Sequence, residues 1–168
     1  MDFKKRVLII TGNGKGKTTA SIGIIIRSLG HKKRVALIKF FKGQKSGEDK
    51  ILKKLGIEIY KFGQEQFFNP KKIPKTLKRK IQQGWEQTQK LSEQVDLLIM
   101  DEVNLALAGD LIKKEEVKNF IKNSKAHLVF TGRFAPLWLK RLADTVSEIK
   151  DIKHKYQNGG GPEKGIEW

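Results

Sequence analysis

The residues with the most distinctive chemistry lie in the stretch TGNGKGKTT at positions 11–19. An apolar run at positions 7–10, typical of a buried strand, precedes it, and a helical pattern at positions 18–29 follows it. A glycine-rich turn between a strand and a helix directs backbone N–H groups and the positive end of a helix dipole toward one point. The sequence therefore predicts a polyphosphate-binding loop, formed by Gly12, Asn13, Gly14, Lys15, Gly16, Lys17, Thr18 and Thr19.

The side chains of this loop favour a nucleoside triphosphate as the ligand. Lys17 would place a positive charge on phosphate oxygens, and the Thr18 hydroxyl would be a ligand of Mg²⁺. The spacing departs from the usual pattern G-x-x-x-x-G-K-[ST], because three residues instead of four separate Gly12 from Gly16. The glycines alternate, so the backbone can still fold tightly around a phosphate. The competing interpretation is a glycine-rich turn whose lysines face water.

A pair of acids, Asp101 and Glu102, follows the apolar run LLIM at positions 97–100. In proteins with phosphate-binding loops, an acid at the end of a buried strand holds Mg²⁺ directly or through water. A strand that ends in an acid is a weak signal alone, but the loop upstream strengthens it. We therefore expect Glu102 or Asp101 to hold the metal together with Thr18.

Arg133 follows another predicted strand, at positions 127–131. A guanidinium at the end of that strand could bind phosphates or stabilise charge on a leaving group. The alternative is a structural ion pair with Asp144 or Glu148. The chain has three histidines and no cysteine, and it shows neither a Ser-His-Asp arrangement nor a histidine metal cluster. The sequence therefore predicts chemistry that depends on phosphate binding, a metal and positioning.

The elements that must position these residues alternate along the chain. Strand patterns occur at positions 7–11, 35–40, 57–61, 95–101, 127–131 and 145–149, and helical patterns at 18–29, 75–93 and 114–123. This alternation predicts an α/β fold with a doubly wound, mainly parallel sheet, in which ligands bind at the carboxyl ends of the strands. Positions 62–70 and 158–162 are predicted to be irregular. With no internal repeat, residues 1–168 are predicted to form a single domain.

The net charge of +17 is unevenly distributed. Residues 1–90 contain 23 basic and 6 acidic side chains, whereas residues 91–168 contain 12 of each. Such a field attracts ATP, other anions or nucleic acid, although a lysine-rich solvated surface is the simpler interpretation. Aromatic residues do not interleave with the lysines, so we do not expect a nucleic-acid partner. No signal peptide or membrane-spanning apolar run is visible, so we expect a cytoplasmic protein without membrane contact.

Taken in order, the motifs resemble those of the ATP:corrinoid adenosyltransferases of cobalamin synthesis and salvage. The resemblance covers nearly the whole chain, and the shortened loop is the form that the family has. It implies a RecA-like fold among the P-loop NTPases, and usually a homodimer. The motifs that carry it are TGNGKGKTT at 11–19, KFFKG at 39–43, MDE at 100–102, TGR at 131–133, ADTVSE at 143–148, IKH at 152–154 and KGIEW at 164–168.

The resemblance also implies a reaction between ATP and a corrinoid. A reduced corrinoid, with cobalt as Co(I), attacks the 5′ carbon of ATP, and triphosphate leaves. Because Co(I) is already a strong nucleophile, no side-chain base is required. Lys15, Lys17 and Arg133, with Mg²⁺ held through Thr18 and Glu102, would neutralise the triphosphate as its charge develops.

Removal of the axial ligand of cobalt is the other step that the resemblance implies. Family members use bulky aromatic side chains for it, and Phe67 and Phe68 are the counterparts in this chain. A packed pair in the core is an equal alternative, because the family's usual Gly-Phe-x-Trp segment is absent here. Many members also have an N-terminal arm over the corrinoid, whereas this chain begins almost at its first strand. A flavin-type reductase is the partner expected to supply electrons.

Two other functions remain open from the sequence. A RecA-like nucleic-acid-binding ATPase would explain the net charge, and it predicts steeply salt-dependent binding to DNA or RNA. A small-molecule kinase or nucleotide switch would use the same loop, and it predicts ADP instead of triphosphate as the product.

Overall fold

Six strands form one sheet in the computed structural model, which describes residues 5–44, 46–64, 73–153 and 163–166. Their order across the sheet is β3-β2-β4-β5-β1-β6, and all the neighbouring pairs are parallel. The predicted α/β fold, with a P-loop NTPase-like sheet flanked by helices, is confirmed. The strands are β1 (Val7–Thr11), β2 (Val35–Lys42), β3 (Glu58–Gln64), β4 (Leu97–Asp101), β5 (His127–Thr131) and β6 (Thr145–Glu148).

Six helices lie within the described residues, and only the three longest were predicted. The shorter ones span four to eight residues, so their side chains cover too few turns for a helical period to show. Within the described part of the chain, no helix has both the length and the apolar character needed to cross a membrane. The helices are α1 (Lys17–Gly30), α2 (Gly47–Lys54), α3 (Lys75–Leu91), α4 (Val103–Ala108), α5 (Lys114–Asn123) and α6 (Leu137–Lys140).

The end of β3 corrects one prediction. The sequence pattern puts positions 62–70 in a loop, but β3 continues to Gln64, which pairs with Lys42 of β2. Gly63 permits this pairing, because a Cβ at that position would lie 2.2 Å from the backbone carbonyl carbon of Phe41. Pairing between strands therefore overrides the local pattern there.

Two apolar clusters, one on each face of the sheet, form the core. Helices α3 to α6 cover one face, where Trp85 makes an edge-to-face contact with Phe120, with ring centroids 5.0 Å apart. Helices α1 and α2 cover the other face. Neighbouring residues of one strand belong to different clusters, as Leu37 and Ile38 do. Burial on both faces explains why the central strands read as continuous apolar runs.

Parallel strands bring residues that are far apart in sequence to one edge of the sheet. The carboxyl ends of β1, β2, β4 and β5 are Thr11, Lys42, Asp101 and Thr131. Because β5 lies between β1 and β4, Thr131 ends its strand between the loop that follows β1 and the acids that end β4. The carboxyl edge of the sheet is therefore where the predicted site residues meet.

Candidate active site

The glycine-rich loop connects β1 to α1 and is held by the chain after β6. The backbone N–H of Gly14 donates a hydrogen bond to the carbonyl oxygen of Ile149 at 2.8 Å, and the N–H of Ile149 donates to Thr11 at the same distance. Gly12 and Gly16 have left-handed φ angles of 104° and 111°. These angles favour glycine, and they turn the loop so that α1 begins at its end.

Contact with the chain after β6 explains why positions 12 and 14 of the loop are glycine. A Cβ at Gly12 would lie 2.3 Å from the carbonyl oxygen of Ile149, and one at Gly14 would lie 2.5 Å from that of Lys150. Both neighbours are backbone atoms and cannot rotate away. The alternating glycines are therefore needed for packing as well as for the path of the backbone.

Lys17 is the first residue of α1, and its side chain folds back over the loop. Its ammonium donates a hydrogen bond to the carbonyl oxygen of Gly14 at 2.7 Å, and the residue is 8% exposed. Burial lowers the pKa of Lys17, the charge of Glu102 opposes that effect, and the charges of Arg133 and Lys42 add to it. Two neighbouring cations therefore act unfavourably on the charge of Lys17, and a bound anion would relieve this repulsion.

Asp101 accepts hydrogen bonds from three side chains. Thr131 and Thr18 donate to Oδ1 at 2.6 and 3.0 Å, and the Lys42 ammonium donates to Oδ2 at 2.8 Å. Burial alone would raise the pKa of this carboxyl group. The charge of Lys42 and the hydrogen bonds outweigh burial and hold the pKa below its ordinary value. Asp101 is therefore an ionised, fully hydrogen-bonded carboxylate at the end of β4.

Glu102 occupies a less favourable environment beside it. The residue has a left-handed φ of 63°, which is uncommon for a residue with a side chain. Its N–H donates to Thr131 Oγ1 at 3.1 Å, and a Cβ on Gly132 would lie only 3.1 Å from its Cα. Burial raises the pKa of Glu102, with Lys42 and Lys17 opposing it only in part. A metal cation bound directly by this carboxyl would therefore favour its ionised form.

A cavity of about 220 Å³ opens beside the loop. Arg133 is exposed there, and its charge acts on Lys17 and Glu102. Asp144, an alternative partner for Arg133, accepts a hydrogen bond from the backbone of Val7 at 2.7 Å. The cavity is lined by Asn13, Gly14, Lys15, Gly16, Lys17, Thr18, Thr19, Glu102, Arg133 and Ile166.

The oxygen atoms next to the cavity are of the kind that Mg²⁺ prefers. They are the hydroxyl of Thr18 and the carboxylates of Asp101 and Glu102. The Lys42 ammonium lies among them, 3.0 Å from Thr18 Oγ1, 2.8 Å from Asp101 Oδ2 and 3.9 Å from Glu102 Oε1. The cluster therefore already accommodates a cation. The described residues contain no group of three or more His, Cys, Asp or Glu side chains that could hold a metal. A metal here must therefore take further ligands from substrate or water.

Three residues of the site were not assigned a role from the sequence. Lys42 and Thr131 contact Asp101, and the Asn104 amide nitrogen donates to the Gly132 carbonyl oxygen at 3.0 Å. The signal that could have found Lys42 and Thr131 is their position at the carboxyl end of a strand. Asn104 carries no such signal, since it lies within the short helix α4.

The predicted site residues fall into two groups. Loop residues 13–19, Glu102 and Arg133 line one cavity, while Gly12 begins the loop and Asp101 bonds to Thr18 beside it. Phe67 and Phe68 lie outside the described residues, as do residues 154–162, so the prediction that the two phenylalanines face the corrinoid stays a prediction.

Comparison with known proteins shows one family. A sequence profile of the family described as ATP:corrinoid adenosyltransferase BtuR/CobO/CobP matches residues 4–168. The chain is 32% identical to the corrinoid adenosyltransferase of Sinorhizobium sp, over 99% of this chain and 82% of that protein. It is 30% identical to that of Escherichia coli (strain K12), over 99% and 87% of the two chains. The corrinoid adenosyltransferase CobA of Salmonella typhimurium is 30% identical, over 96% and 85%.

Proposed function

This chain belongs to the family of ATP:corrinoid adenosyltransferases, which transfer the adenosyl group of ATP to a reduced corrinoid in adenosylcobalamin synthesis, and we propose that it does so at the carboxyl edge of its sheet. The loop of residues 12–19 binds the triphosphate, and Lys17 and Arg133 neutralise it. Thr18, Glu102 and Asp101 provide the oxygen atoms for Mg²⁺.

One observation carries the proposal. Lys42 and Arg133 both act unfavourably on the charge of Lys17, and Lys17 and Arg133 line a small cavity at the N-terminal end of the 14-residue helix α1. Like charges held close together raise the free energy of the site, and a polyanion lowers it again. The arrangement supports an anion with several negative charges, as triphosphate has, more than a neutral or singly charged ligand.

The chemistry requires positioning and charge stabilisation from the protein. The electron pair of Co(I) forms the bond to the 5′ carbon of ATP, while the bond from that carbon to the triphosphate oxygen breaks and its electrons stay on the oxygen. Negative charge therefore develops on triphosphate, where the loop N–H groups, Lys17 and Arg133 can stabilise it.

The metal-side residues have a defined task in this proposal. Bound Mg²⁺ would withdraw charge from the phosphate oxygens. Thr18 is positioned for it by the start of α1, and Asp101 by the end of β4. Glu102 is held beside them in its left-handed conformation. The raised pKa of Glu102 supports this role, because a neighbouring cation would favour the ionised carboxylate.

Product analysis tests the function directly. The purified protein, incubated without oxygen with ATP, Mg²⁺ and chemically reduced cob(I)alamin, is expected to give adenosylated corrinoid and one triphosphate for each transfer. Detection of ADP without an adenosylated product would favour a kinase or switch. Hydrolysis stimulated by DNA or RNA would favour the nucleic-acid-binding ATPase that the +17 charge allows.

A single substitution tests the role of the loop. Lys17→Ala should weaken ATP binding by roughly 10- to 100-fold, the size expected for a lost hydrogen bond to a charged group. Lys90→Ala, at an exposed position near the end of α3, removes the same charge far from the loop and is the matched control. Equal ATP affinity of Lys17→Ala and the control, measured by calorimetry, would show that the loop has been misinterpreted.

Other features remain proposals that rest on the family. The chain acts as a homodimer, receives corrinoid reduced by a flavin-type reductase, and works in the cytoplasm. The dimer is tested by sedimentation equilibrium, and the reductase by replacing the chemical reductant with a reduced flavoprotein. Transfer with the chemical reductant but not with the reduced flavoprotein would count against a flavin-type reductase as the partner.

A further inference from the structure

Lys42 lies where the oxygen atoms proposed to bind the metal converge. Its ammonium donates to Asp101 Oδ2 at 2.8 Å and to Thr18 Oγ1 at 3.0 Å, and it lies 3.9 Å from Glu102 Oε1. Mg²⁺ binds oxygen at about 2.0–2.1 Å, so a metal shared by these oxygens would overlap with the ammonium or lie directly against it. Two cations cannot occupy this position together.

The backbone around Lys42 is shaped to hold it there. The preceding residue, Phe41, has a left-handed φ of 59°, an outlier for a bulky residue. The neighbouring strand accommodates this turn only because it has glycine there, since a Cβ on Gly63 would lie 2.3 Å from the backbone nitrogen of Lys42. Strain of this kind persists only where the surroundings enforce it, and it is typical of functional positions.

A buried ionic cluster anchors the chain on both sides of Lys42. The Lys39 ammonium, on the same strand, donates to Asp49 at 2.6 Å and to Glu48 at 2.8 Å, and Lys61 of β3 pairs with Asp49 at 2.5 Å. Lys39 is 1% exposed, so this cluster fixes the end of β2 against α2. The position of Lys42 is therefore set by the fold, while its side chain keeps 38% of its surface exposed.

We propose that Lys42 is a built-in occupant of the metal position, which compensates Asp101 and holds Thr18 until metal enters, and which must leave for the metal to bind. This inference rests on the proposed function in one respect, the assignment of Thr18, Asp101 and Glu102 to the metal. With Lys42 in this position, the protein is expected to bind the metal weakly when nucleotide is absent. The ammonium competes with the metal directly, so metal is expected to enter together with the nucleotide, whose phosphates contribute additional ligands.

Metal binding to the protein without nucleotide tests the inference. Mn²⁺ is used as the probe, and its free concentration is followed by electron paramagnetic resonance. Lys42→Met should bind Mn²⁺ at least about tenfold more tightly than wild type, because a positive charge within about 3 Å of the metal has been removed. Lys42→Arg keeps the charge and should show no gain.

Two further variants separate displacement from general electrostatics and from loss of folding. Lys150→Met removes an exposed charge from the segment that packs against Gly14, and should change Mn²⁺ affinity less than about threefold. Lys42→Gln keeps a group that can donate to Asp101, and it replaces Lys42→Met if the latter lacks a cooperative unfolding transition. Unchanged or weaker Mn²⁺ binding in the folded Lys42 variant overturns the inference, and so does an equal gain in Lys150→Met.

The result is independent of the adenosyltransferase assay. No corrinoid is present in the Mn²⁺ measurement, so failure of the wild type to transfer adenosyl would overturn the proposed function and leave the metal result standing. An active wild type whose Lys42→Met variant gains no Mn²⁺ affinity would overturn only the role of Lys42.

Discussion

Single residues of the site are held in conformations and charge states that cost free energy in the absence of a ligand. Glu102 combines a left-handed backbone with a buried carboxyl group whose pKa is raised, and Lys17 is buried with a lowered pKa. Their neighbours do not fully compensate either charge. Such residues are common where a ligand supplies the missing interaction, and removing them often increases stability while function is lost.

Glu102→Gln should raise the melting temperature at pH 7 and reduce adenosyl transfer. Because the pKa of Glu102 is higher in the folded than in the unfolded state, the penalty is absent below the unfolded pKa of about 4.3 and is complete above the folded pKa. The gain in melting temperature should therefore shrink toward pH 4. Thermal unfolding at both pH values checks this, with the exposed Glu93→Gln as control. A lower melting temperature for Glu102→Gln at pH 7 would contradict it.

A pair of glycine substitutions tests how tightly the loop is packed. Gly12→Ala forces a Cβ to within 2.3 Å of a backbone oxygen at a φ of 104°, so we expect a loss of about 2 kcal/mol or more in the free energy of unfolding. Gly23 lies exposed in α1 with open space around its Cα, and Gly23→Ala should stabilise by about 0.5–1 kcal/mol. Urea denaturation measures both, and effects of the same sign would refute the packing argument.

At the level of elements, the connection from β2 to α2 determines how the carboxyl edge is built. Ser46 caps α2, and Asp49 completes the capping box while it accepts hydrogen bonds from Lys39 and Lys61. Burial by itself would raise the pKa of Asp49, but these hydrogen bonds outweigh it and hold the pKa well below its ordinary value. Helix α2 is thereby linked to both β2 and β3.

Asp49→Asn should make the free energy of unfolding less dependent on pH in the acid range. The depressed pKa stabilises the fold fully above the unfolded pKa of about 3.9, and the contribution is lost as pH falls through the lower folded value. At pH 6 we expect the variant to be less stable by about 2–4 kcal/mol, because the buried Lys39 loses the more buried of its two acidic partners. At pH 2.5, which lies between the folded and the unfolded pKa, the difference should be smaller but not abolished. Urea denaturation at both pH values measures it, with the exposed Asp151→Asn as control.

At the level of the whole molecule, both apolar clusters pack against the same sheet. Strands β1, β2, β4 and β5 contribute side chains to each cluster, so neither face can lose its helices without exposing the other side of the same strands. We therefore propose that residues 1–168 unfold as a single unit. The net charge of +17 acts on this unit from outside and does not determine its fold.

Calorimetry tests this cooperativity. We expect one thermal transition, a ratio of calorimetric to van 't Hoff enthalpy of about 1, and coincident unfolding curves by far-ultraviolet circular dichroism and tryptophan fluorescence. Trp85 is buried on α3 and contacts Phe120 of α5, so its fluorescence reports on the cluster on that face of the sheet. Separate transitions for the two probes would show that the chain contains independent units.

The sequence by itself determined the loop and the elements beside it. The glycines of residues 12–16, Lys17, Thr18 and the apolar strand before them are contiguous, so their backbone angles, helix start and charge follow from local chemistry. The acids at the end of β4 could also be predicted, because a buried strand that ends in carboxylates is recognisable as an apolar run followed by acidic residues. The three longest helices were predictable for a related reason, since side chains repeat along their length.

Only the tertiary structure decided which of these groups meet and in what state. Lys42, Thr131 and Ile149 are each far in sequence from the residues they contact, and no local pattern encodes that β5 lies between β1 and β4. The extension of β3 depends on its pairing with β2, which outweighs the local signal. The opposite pKa shifts of the adjacent acids Asp101 and Glu102 arise because burial and charged partners differ between them, and both are properties of the packed sheet.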